Sequence, residues 1–393
     1  MQQYSKRILS LSESATIAVA NLARKLQAEG KDVLSFSAGE PDFDTPKVIK
    51  EEAIRALNCG FTKYTAVAGI PELLKAISQK LKRDNNLEYD PKEIIVSNGA
   101  KQSLFNAFQA IIDESDEVLI PTPYWVTYPE LVTYSGGKPV FVETKEEYGF
   151  KARGIDFERA ITPKTKAIVL TSPSNPTGMI YTKEELESVI EVALKHNLWI
   201  ISDEMYEKLV YDGTFVSIAS LNDSIMQKTI TINGLSKSVA MTGWRMGYAA
   251  CKDQKLIKLM DNLQSQCTSN INSITQKAAI VALDGSADAD IESMREAFKE
   301  RRDIACGLID EIPGISVVKP DGAFYLFINI NNVKGYDGNS MEFCKALLEK
   351  VGVALVPGSA FGMDGFVRMS FACDLAQIKE GFVRINKFVR GEC

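Results

Sequence analysis

Between about residue 46 and residue 290, short continuous apolar runs alternate with helical patterns, and this alternation leaves the chain few folds to adopt. Glu93-Ile94-Ile95-Val96 precedes a helix-like stretch over 101–112, and Glu117-Val118-Leu119-Ile120 precedes another that runs through Tyr134. Ala167-Ile168-Val169-Leu170 and Leu198-Trp199-Ile200-Ile201 flank a helical pattern over 183–196, and Thr229-Ile230-Thr231-Ile232 follows them. A strand with one wet face would alternate apolar and polar residues. These runs do not, so they are expected in a parallel sheet covered on both sides. Parallel neighbours need crossover connections, which the intervening helices supply, so an α/β domain with right-handed crossovers is predicted.

From about residue 291 the pattern changes. A long helix over 291–312 is followed by short strand candidates at 315–318, 324–330, 353–356 and 366–370, then by an amphipathic helix over 375–389. This predicts a smaller α+β domain. The N-terminal segment, which ends in the turn-rich Gly39-Glu40-Pro41-Asp42-Phe43-Asp44-Thr45-Pro46, is expected to pack with it. A chain of 393 residues exceeds the roughly 250–300 at which one core stops growing. The expected division is a large domain over 46–290 and a small one built from 1–45 and 291–393.

In open α/β sheets, ligands bind beyond the carboxyl ends of the strands. After the first run comes Asn98-Gly99-Ala100-Lys101-Gln102, opening a helix whose free N–H groups can hold a phosphate. The second run leads into Pro121-Thr122-Pro123-Tyr124-Trp125, the third into Ser172-Pro173-Ser174-Asn175-Pro176-Thr177-Gly178, and the fourth into Asp203-Glu204-Met205-Tyr206. The fifth delivers Ser236 and Lys237, at the head of Ser236-Lys237-Ser238-Val239-Ala240-Met241-Thr242-Gly243-Trp244-Arg245-Met246-Gly247-Tyr248. Lys237 offers an amine for a Schiff base. Arg245 lies between Gly243 and Gly247, suited to gripping a phosphate where backbone passes close. Pyridoxal phosphate requires that pair, a lysine for its aldehyde and a fixed cationic fork for its phosphate.

Taken singly, each feature has a plainer use. A lysine with an arginine nearby is ordinarily a solvated face, Asp203 serves equally as a helix cap, and 174–178 serves as a turn. Trp125 and Tyr206 read as core aromatics. Gly99-Ala100-Lys101 is not a P-loop, because Gly-x-x-x-x-Gly-Lys-Ser/Thr is absent from the chain. Their shared place at strand ends, around Lys237, is what points to one site.

Bulk properties narrow the classes of function. A net charge of −6 argues against a nucleic-acid or anionic-membrane partner. No apolar run approaches the roughly 18 residues of a membrane span, and the start of the chain does not resemble a secretory signal. Seven scattered cysteines without a Cys-x-x-Cys pair read as reduced thiols, so a cytoplasmic location is expected. His196 is the only histidine, which excludes a multi-histidine metal site, and no metal is expected. It stands at a predicted helix end, where a structural role is ordinary. Proton transfer at neutral pH then falls to another group, for which a lysine of lowered pKa would serve.

These motifs resemble the fold-type I pyridoxal-phosphate aminotransferases, specifically the bacterial class I aspartate aminotransferase subgroup. The resemblance spans nearly the whole chain: Ser37-Ala38-Gly39-Glu40-Pro41-Asp42-Phe43, Lys63-Tyr64, Gly69-Ile70-Pro71-Glu72-Leu73, Tyr124-Trp125-Val126, Asn175-Pro176-Thr177-Gly178, Ser202-Asp203-Glu204, Ser236-Lys237 through Gly247, and Val367-Arg368-Met369-Ser370. It implies a mostly parallel seven-stranded sheet between helices. It also implies pyridoxal 5′-phosphate held as a Schiff base on Lys237, which then shuttles the proton of the substrate Cα. Asp203 would pair with the ring nitrogen, Tyr206 and Asn175 with the 3′ oxygen, and Trp125 would stack on the ring. Arg245, Ser236 and the Gly99-Ala100-Lys101 backbone would hold the phosphate, joined by Tyr64 from a partner subunit, so that a homodimer is implied.

Arg368 would grip the substrate α-carboxylate in two prongs, assisted by Asn175 and the Gly39 backbone. Lys101 and Thr16, with Ser14, would meet the distal carboxylate. The implied reaction is ping-pong transfer of an amino group between L-aspartate and 2-oxoglutarate. Transamination of prephenate or of aromatic or neutral amino acids is the alternative within the family, and a β-lyase or decarboxylase the alternative on the same scaffold. The segment Thr65-Ala66-Val67-Ala68-Gly69 lacks the prolines common there in relatives, which bears on the stiffness of that loop.

Overall fold

Among residues 4–392, which the computed structural model describes, thirteen strands fall into three sheets. In chain order they are β1 Leu34–Ser35, β2 Ile94–Asn98, β3 Glu117–Pro121, β4 Lys138–Val142, β5 Thr165–Thr171, β6 Trp199–Asp203 and β7 Thr229–Gly234. β8 Met246–Ala250, β9 Ser316–Val317, β10 Tyr325–Asn329, β11 Val353–Ala354, β12 Val356–Pro357 and β13 Phe366–Ser370 complete the set. The main sheet has seven strands in the order β2-β8-β7-β6-β5-β3-β4. Only β8 runs against its neighbours, being antiparallel to both β2 and β7, while the pairs from β7 to β4 are parallel.

The five predicted runs become β2, β3, β5, β6 and β7. Both faces of the sheet are covered, as continuous apolar runs require: Ile94 and Val96 of β2 pack into one core cluster and Ile95 into another. Two strands of this sheet had no counterpart in the sequence expectation. β4 is a partly exposed edge with one buried residue, Val142. β8 reads Met-Gly-Tyr-Ala-Ala, poor in β-branched residues, yet all five are buried between β2 and β7. Tertiary fit overrides weak local propensity there.

The reversal of β8 places chemistry. Asn98 pairs with Met246 and Gly234 with Gly247, so β8 begins at the edge where the parallel strands end. Arg245, immediately before β8, therefore reaches the same edge as Asn98, Thr171, Asp203 and Gly234.

The remaining strands tie the chain's beginning to its end. β1 pairs in parallel with β11, Leu34 opposite Val353, and β12-β13-β10-β9 form an antiparallel sheet. The single run expected over 353–356 divides at Leu355, with its halves in different sheets. The long helix spans Asp288–Asp310 and the closing helix Leu375–Arg390. No helix among the described residues is long and apolar enough to cross a membrane. Six cysteines are free thiols, and Cys393 lies outside the described residues.

Candidate active site

A cleft of about 660 Å³ opens at the carboxyl edge of the main sheet. Of the predicted site residues, Ser14, Gly99 and Tyr64 do not line it: the cleft holds Thr16, Gly39, Ala100, Lys101, Trp125, Asn175, Asp203, Tyr206, Ser236, Lys237, Arg245 and Arg368.

Lys237 follows β7, whose six residues are all buried, and its Nζ donates to the Gly39 carbonyl. Burial draws its pKa down to about 8, helped by the positive charges of Arg368 and Arg245 and opposed by Glu40 and Asp203. Asp203 ends β6 and is buried. Its Oδ2 accepts from the Tyr128 hydroxyl at 2.6 Å and its Oδ1 from the Met205 N–H at 3.3 Å. Burial raises its pKa, against the lowering effect of those two donors and of Lys237. No ion pair engages Asp203 among the described residues, so the carboxylate needs a cation that the chain does not place on it.

Beside these two groups is an anion cradle. Gly99 adopts φ +77° before the helix Ala100–Ile111, whose first N–H groups have no intrahelical partner. A Cβ at Gly99 would lie 2.5 Å from Arg245 Nη2, and one at Gly247 would lie 2.1 Å from the Ala100 nitrogen. The two glycines thus let the guanidinium and the helix start close on each other. Arg245 itself is left-handed, at φ +57°, and Nη1 donates to the Thr242 carbonyl at 2.9 Å. Ser236 contributes a buried side chain to the same wall.

Arg368 lies in β13, opposite Phe327 on one side and Val356 on the other, and is 2% exposed. Nη1 donates to Asn175 Oδ1 at 2.9 Å and Nη2 to the Ser37 carbonyl at 2.9 Å. Its Cζ stands 4.4 Å from the centroid of the Tyr325 ring and 5.0 Å from that of Phe361. Nε is buried without a partner, and no carboxylate of the described residues pairs with the guanidinium. A buried cation that lines a cleft and has no carboxylate partner among the described residues is arranged for an anion from outside.

Tyr206 donates to or accepts from the Tyr325 hydroxyl at 2.8 Å, and burial lifts its pKa well above the usual phenol value. Lys101 Nζ stands 5.0 Å from the Trp125 ring centroid. Thr16 begins the helix Ala15–Ala28, its Oγ1 3.0 Å from Ser14 Oγ. Tyr64 lies outside the cleft of its own chain, 92% exposed. His196 caps its helix and meets Glu158 at 3.0 Å, away from the cleft. Sequence reading missed Tyr128 and Tyr325. Tyr128 falls three residues after Trp125, edge-on to it at 5.4 Å, a spacing that could have flagged it. Tyr325 begins a buried strand and carried no signal.

The donor set suits pyridoxal phosphate: an amine, a buried carboxylate lacking a cation, and a cradle of arginine, hydroxyl and helix N–H groups line one cleft. A family model described as aminotransferase class I and II matches residues 31–385. An aspartate aminotransferase of Bacillus subtilis is 51% identical over 98% of this chain and 98% of its own. A probable aspartate/prephenate aminotransferase of Aquifex aeolicus is 48% identical, again over 98% of each. The crystal structure of the aspartate aminotransferase from Rhizobium meliloti superposes with a TM-score of 0.96 at 43% identity, covering 99% of both chains.

Proposed function

The chain belongs to the class I and II aminotransferases, and from that premise we propose that it moves an amino group between L-aspartate and 2-oxoglutarate, yielding oxaloacetate and L-glutamate in two half-reactions. The observation that carries this reading is the buried Arg368 guanidinium, which no carboxylate of the described residues pairs and which lines the same cleft as Lys237 and Asp203. Relatives of about half-identical sequence bear the name aspartate aminotransferase, which supports the substrate assignment.

Pyridoxal phosphate, when bound, supplies a carbonyl that condenses with amines and a cationic ring that accepts the electron pair left at the substrate Cα. Asp203 would face the ring nitrogen and keep it protonated, with Tyr128 and the Met205 N–H fixing the carboxylate's orientation. Ser236, Arg245 and the start of the Ala100–Ile111 helix would hold the phosphate, Trp125 the ring face, and Tyr206 with Asn175 the 3′ oxygen. Arg368 would bind the α-carboxylate through its fork, which a lysine could not match. Lys101 and Thr16 would receive the distal carboxylate. With a pKa near 8, about a tenth of Lys237 is neutral at pH 7, against fewer than about one in a thousand for an ordinary lysine. Its neutral Nζ would accept the proton that leaves Cα and, as an ammonium, would deliver it to the carbon of the cofactor's former aldehyde.

Residues 46–290 would form the cofactor-binding domain and 1–45 with 291–393 the small one. In support, the main sheet lies wholly within residues 94–250, and β1 joins β11. A homodimer with shared sites is supported by the exposed Tyr64 and by a shallow hollow of about 600 Å³ beside Arg245, lined in part by Asn98, Gly243, Trp244 and Asn272. The scattered free thiols support a reducing, cytoplasmic setting.

Transamination of prephenate is a second reading, favoured by the presence of Lys101 and Thr16 in the cleft and by the name of the Aquifex relative. A panel of donors and acceptors with the purified protein tests both. Aspartate with 2-oxoglutarate should give the highest kcat/KM. A higher value with prephenate would replace the first reading by the second, and release of pyruvate and ammonia or of CO₂ without an acceptor would overturn both.

A further inference from the structure

The loop that carries Tyr64 has no proline from Tyr64 to Gly69, yet the residues that follow its tip are held by two glutamines that are fully shielded from solvent. Gln276, in the helix Ser273–Leu283, donates Nε2 to Thr65 Oγ1 at 2.9 Å and accepts at Oε1 from the Ile70 N–H at 2.8 Å. Gln264, in the helix Gln254–Cys267, donates Nε2 to the Val67 carbonyl at 3.1 Å and the Val96 carbonyl at 2.8 Å. Its Oε1 accepts from Ser97 Oγ at 2.7 Å and from Asn106 Nδ2 at 2.9 Å.

A buried amide is costly unless its polar atoms are paired, and these two find partners in the loop as well as in the elements around them. Between Gly60 and Thr65, by contrast, Lys63 and Tyr64 make no hydrogen bond among the described residues. The phenol is therefore presented on a short free tip whose following residues are fixed. A tip held in this way loses less conformational freedom when it engages a ligand than a loose loop would. Gln264 does more, because Ser97 and Asn106 belong to the strand end and the helix that flank Gly99, Ala100 and Lys101. One side chain thus joins the phosphate cradle of a protomer to the segment that protomer offers its partner.

We propose that Gln276 and Gln264 are positioning residues that hold Tyr64 at the phosphate of the partner subunit's cofactor, supplying by side-chain bonds the stiffness this loop lacks in its backbone. The proposal rests on the reading in which the site is shared between two chains. Neither glutamine touches the cofactor, so the effect must pass through Tyr64.

The test compares the affinity of the cofactor-stripped full-length protein for pyridoxal phosphate and for pyridoxal, which lacks the phosphate. The variants are Tyr64→Phe, Thr65→Val, Gln276→Leu and the double variant of the first two. Thr65→Val removes the acceptor of Gln276 at a partly exposed site, so it remains informative should Gln276→Leu fail to fold. The single variants should weaken pyridoxal phosphate about three- to tenfold, the range of one hydrogen bond, and leave pyridoxal unchanged. The double variant should be no weaker than Tyr64→Phe alone. If Tyr64→Phe weakens the phosphorylated ligand while Thr65→Val and Gln276→Leu do not, the positioning role is overturned. Equal losses for both ligands, or additive losses in the double variant, overturn it too. If Tyr64→Phe itself has no effect on either ligand, the shared-site reading falls, and the positioning role falls with it.

Discussion

The Tyr128 hydroxyl donates to Asp203 Oδ2 across 2.6 Å inside a fully buried pair, and the same hydroxyl oxygen stands 2.7 Å from Thr171 Oγ1. The phenol thus helps to orient the carboxylate that would face the cofactor's ring nitrogen and favours its charged form. Asp203 already has a raised pKa because it is buried, and the Tyr128 bond is the largest influence opposing that rise. Tyr128→Phe removes the donor and leaves the ring's volume, so the carboxylate becomes a weaker partner for the ring cation. We expect kcat to fall on the order of tenfold, corresponding to one hydrogen bond to a charged group. Asp203→Asn should cost far more. Steady-state kinetics at saturating cofactor would check this, and equal activity of Tyr128→Phe and wild type would remove Tyr128 from the mechanism.

Arg368→Lys separates substrate recognition from cofactor binding. The guanidinium already makes two bonds inward, to Asn175 and to the Ser37 carbonyl, and its planar fork has donors left for a carboxylate. A lysine keeps the charge but loses the fork and leaves Asn175 Oδ1 without its donor. The KM for aspartate should rise about 30- to 100-fold, from the loss of a charge-assisted pair of bonds. The dissociation constant of pyridoxal phosphate should stay within about twofold of wild type. A variant in which cofactor affinity falls and KM holds would contradict the assignment.

Much of this arrangement is legible in the amino-acid order alone, for a definite reason. β2, β3, β5, β6 and β7 are interior strands, and burial on two faces writes itself into the sequence as an unbroken apolar run. Once those runs are placed, the residues at their carboxyl ends must meet at one edge of the sheet, which is how Gly99, Trp125, Asn175, Asp203 and Lys237 could be grouped. β8 was hidden because its residues suit a strand only in their particular slot. Tyr128 and Tyr325 were hidden because a hydroxyl on an otherwise apolar ring acquires its role from packing. Gln264 and Gln276 were hidden most completely: their partners in the 64–70 loop lie 197 and 206 residues away in sequence, beyond any local pattern.

The lowered pKa of Lys237 should appear as a dependence of folding stability on pH. Its folded value, about 8, lies below the ordinary value of 10.5, so the unfolded chain binds the extra proton more tightly. Below about pH 8 both states are protonated, and the folded state bears the whole penalty of a buried ammonium. Between about pH 8 and 10.5 the folded state has released that proton while the unfolded state still holds it, so stability rises with pH. Lys237→Met removes the group. At pH 7 the cofactor-free variant should be more stable than the cofactor-free wild type by roughly 2–3 kcal/mol, and the gap should shrink by pH 9.5. Urea denaturation at the two pH values measures it, and a gap that widens with pH would show that the amine is not held in its neutral-favouring environment.

Gly99→Ala tests the phosphate cradle without removing any charged group. At φ +77° an alanine is strained by roughly 1–2 kcal/mol. The added methyl would also lie 2.5 Å from Arg245 Nη2 and 2.9 Å from its Cζ. The clashing atoms are the far end of a flexible side chain, so the guanidinium gives way rather than the strand. Displaced, it can no longer close on the start of the Ala100–Ile111 helix, where the phosphate would be held. Affinity for pyridoxal phosphate should drop about tenfold or more, while affinity for pyridoxal changes by less than about twofold, because only the phosphate loses a partner. Titration of the cofactor-free variant with each compound reads this directly. Parallel losses for both would mean that the methyl disturbs the ring site instead, and that Arg245 is not the group that holds the phosphate.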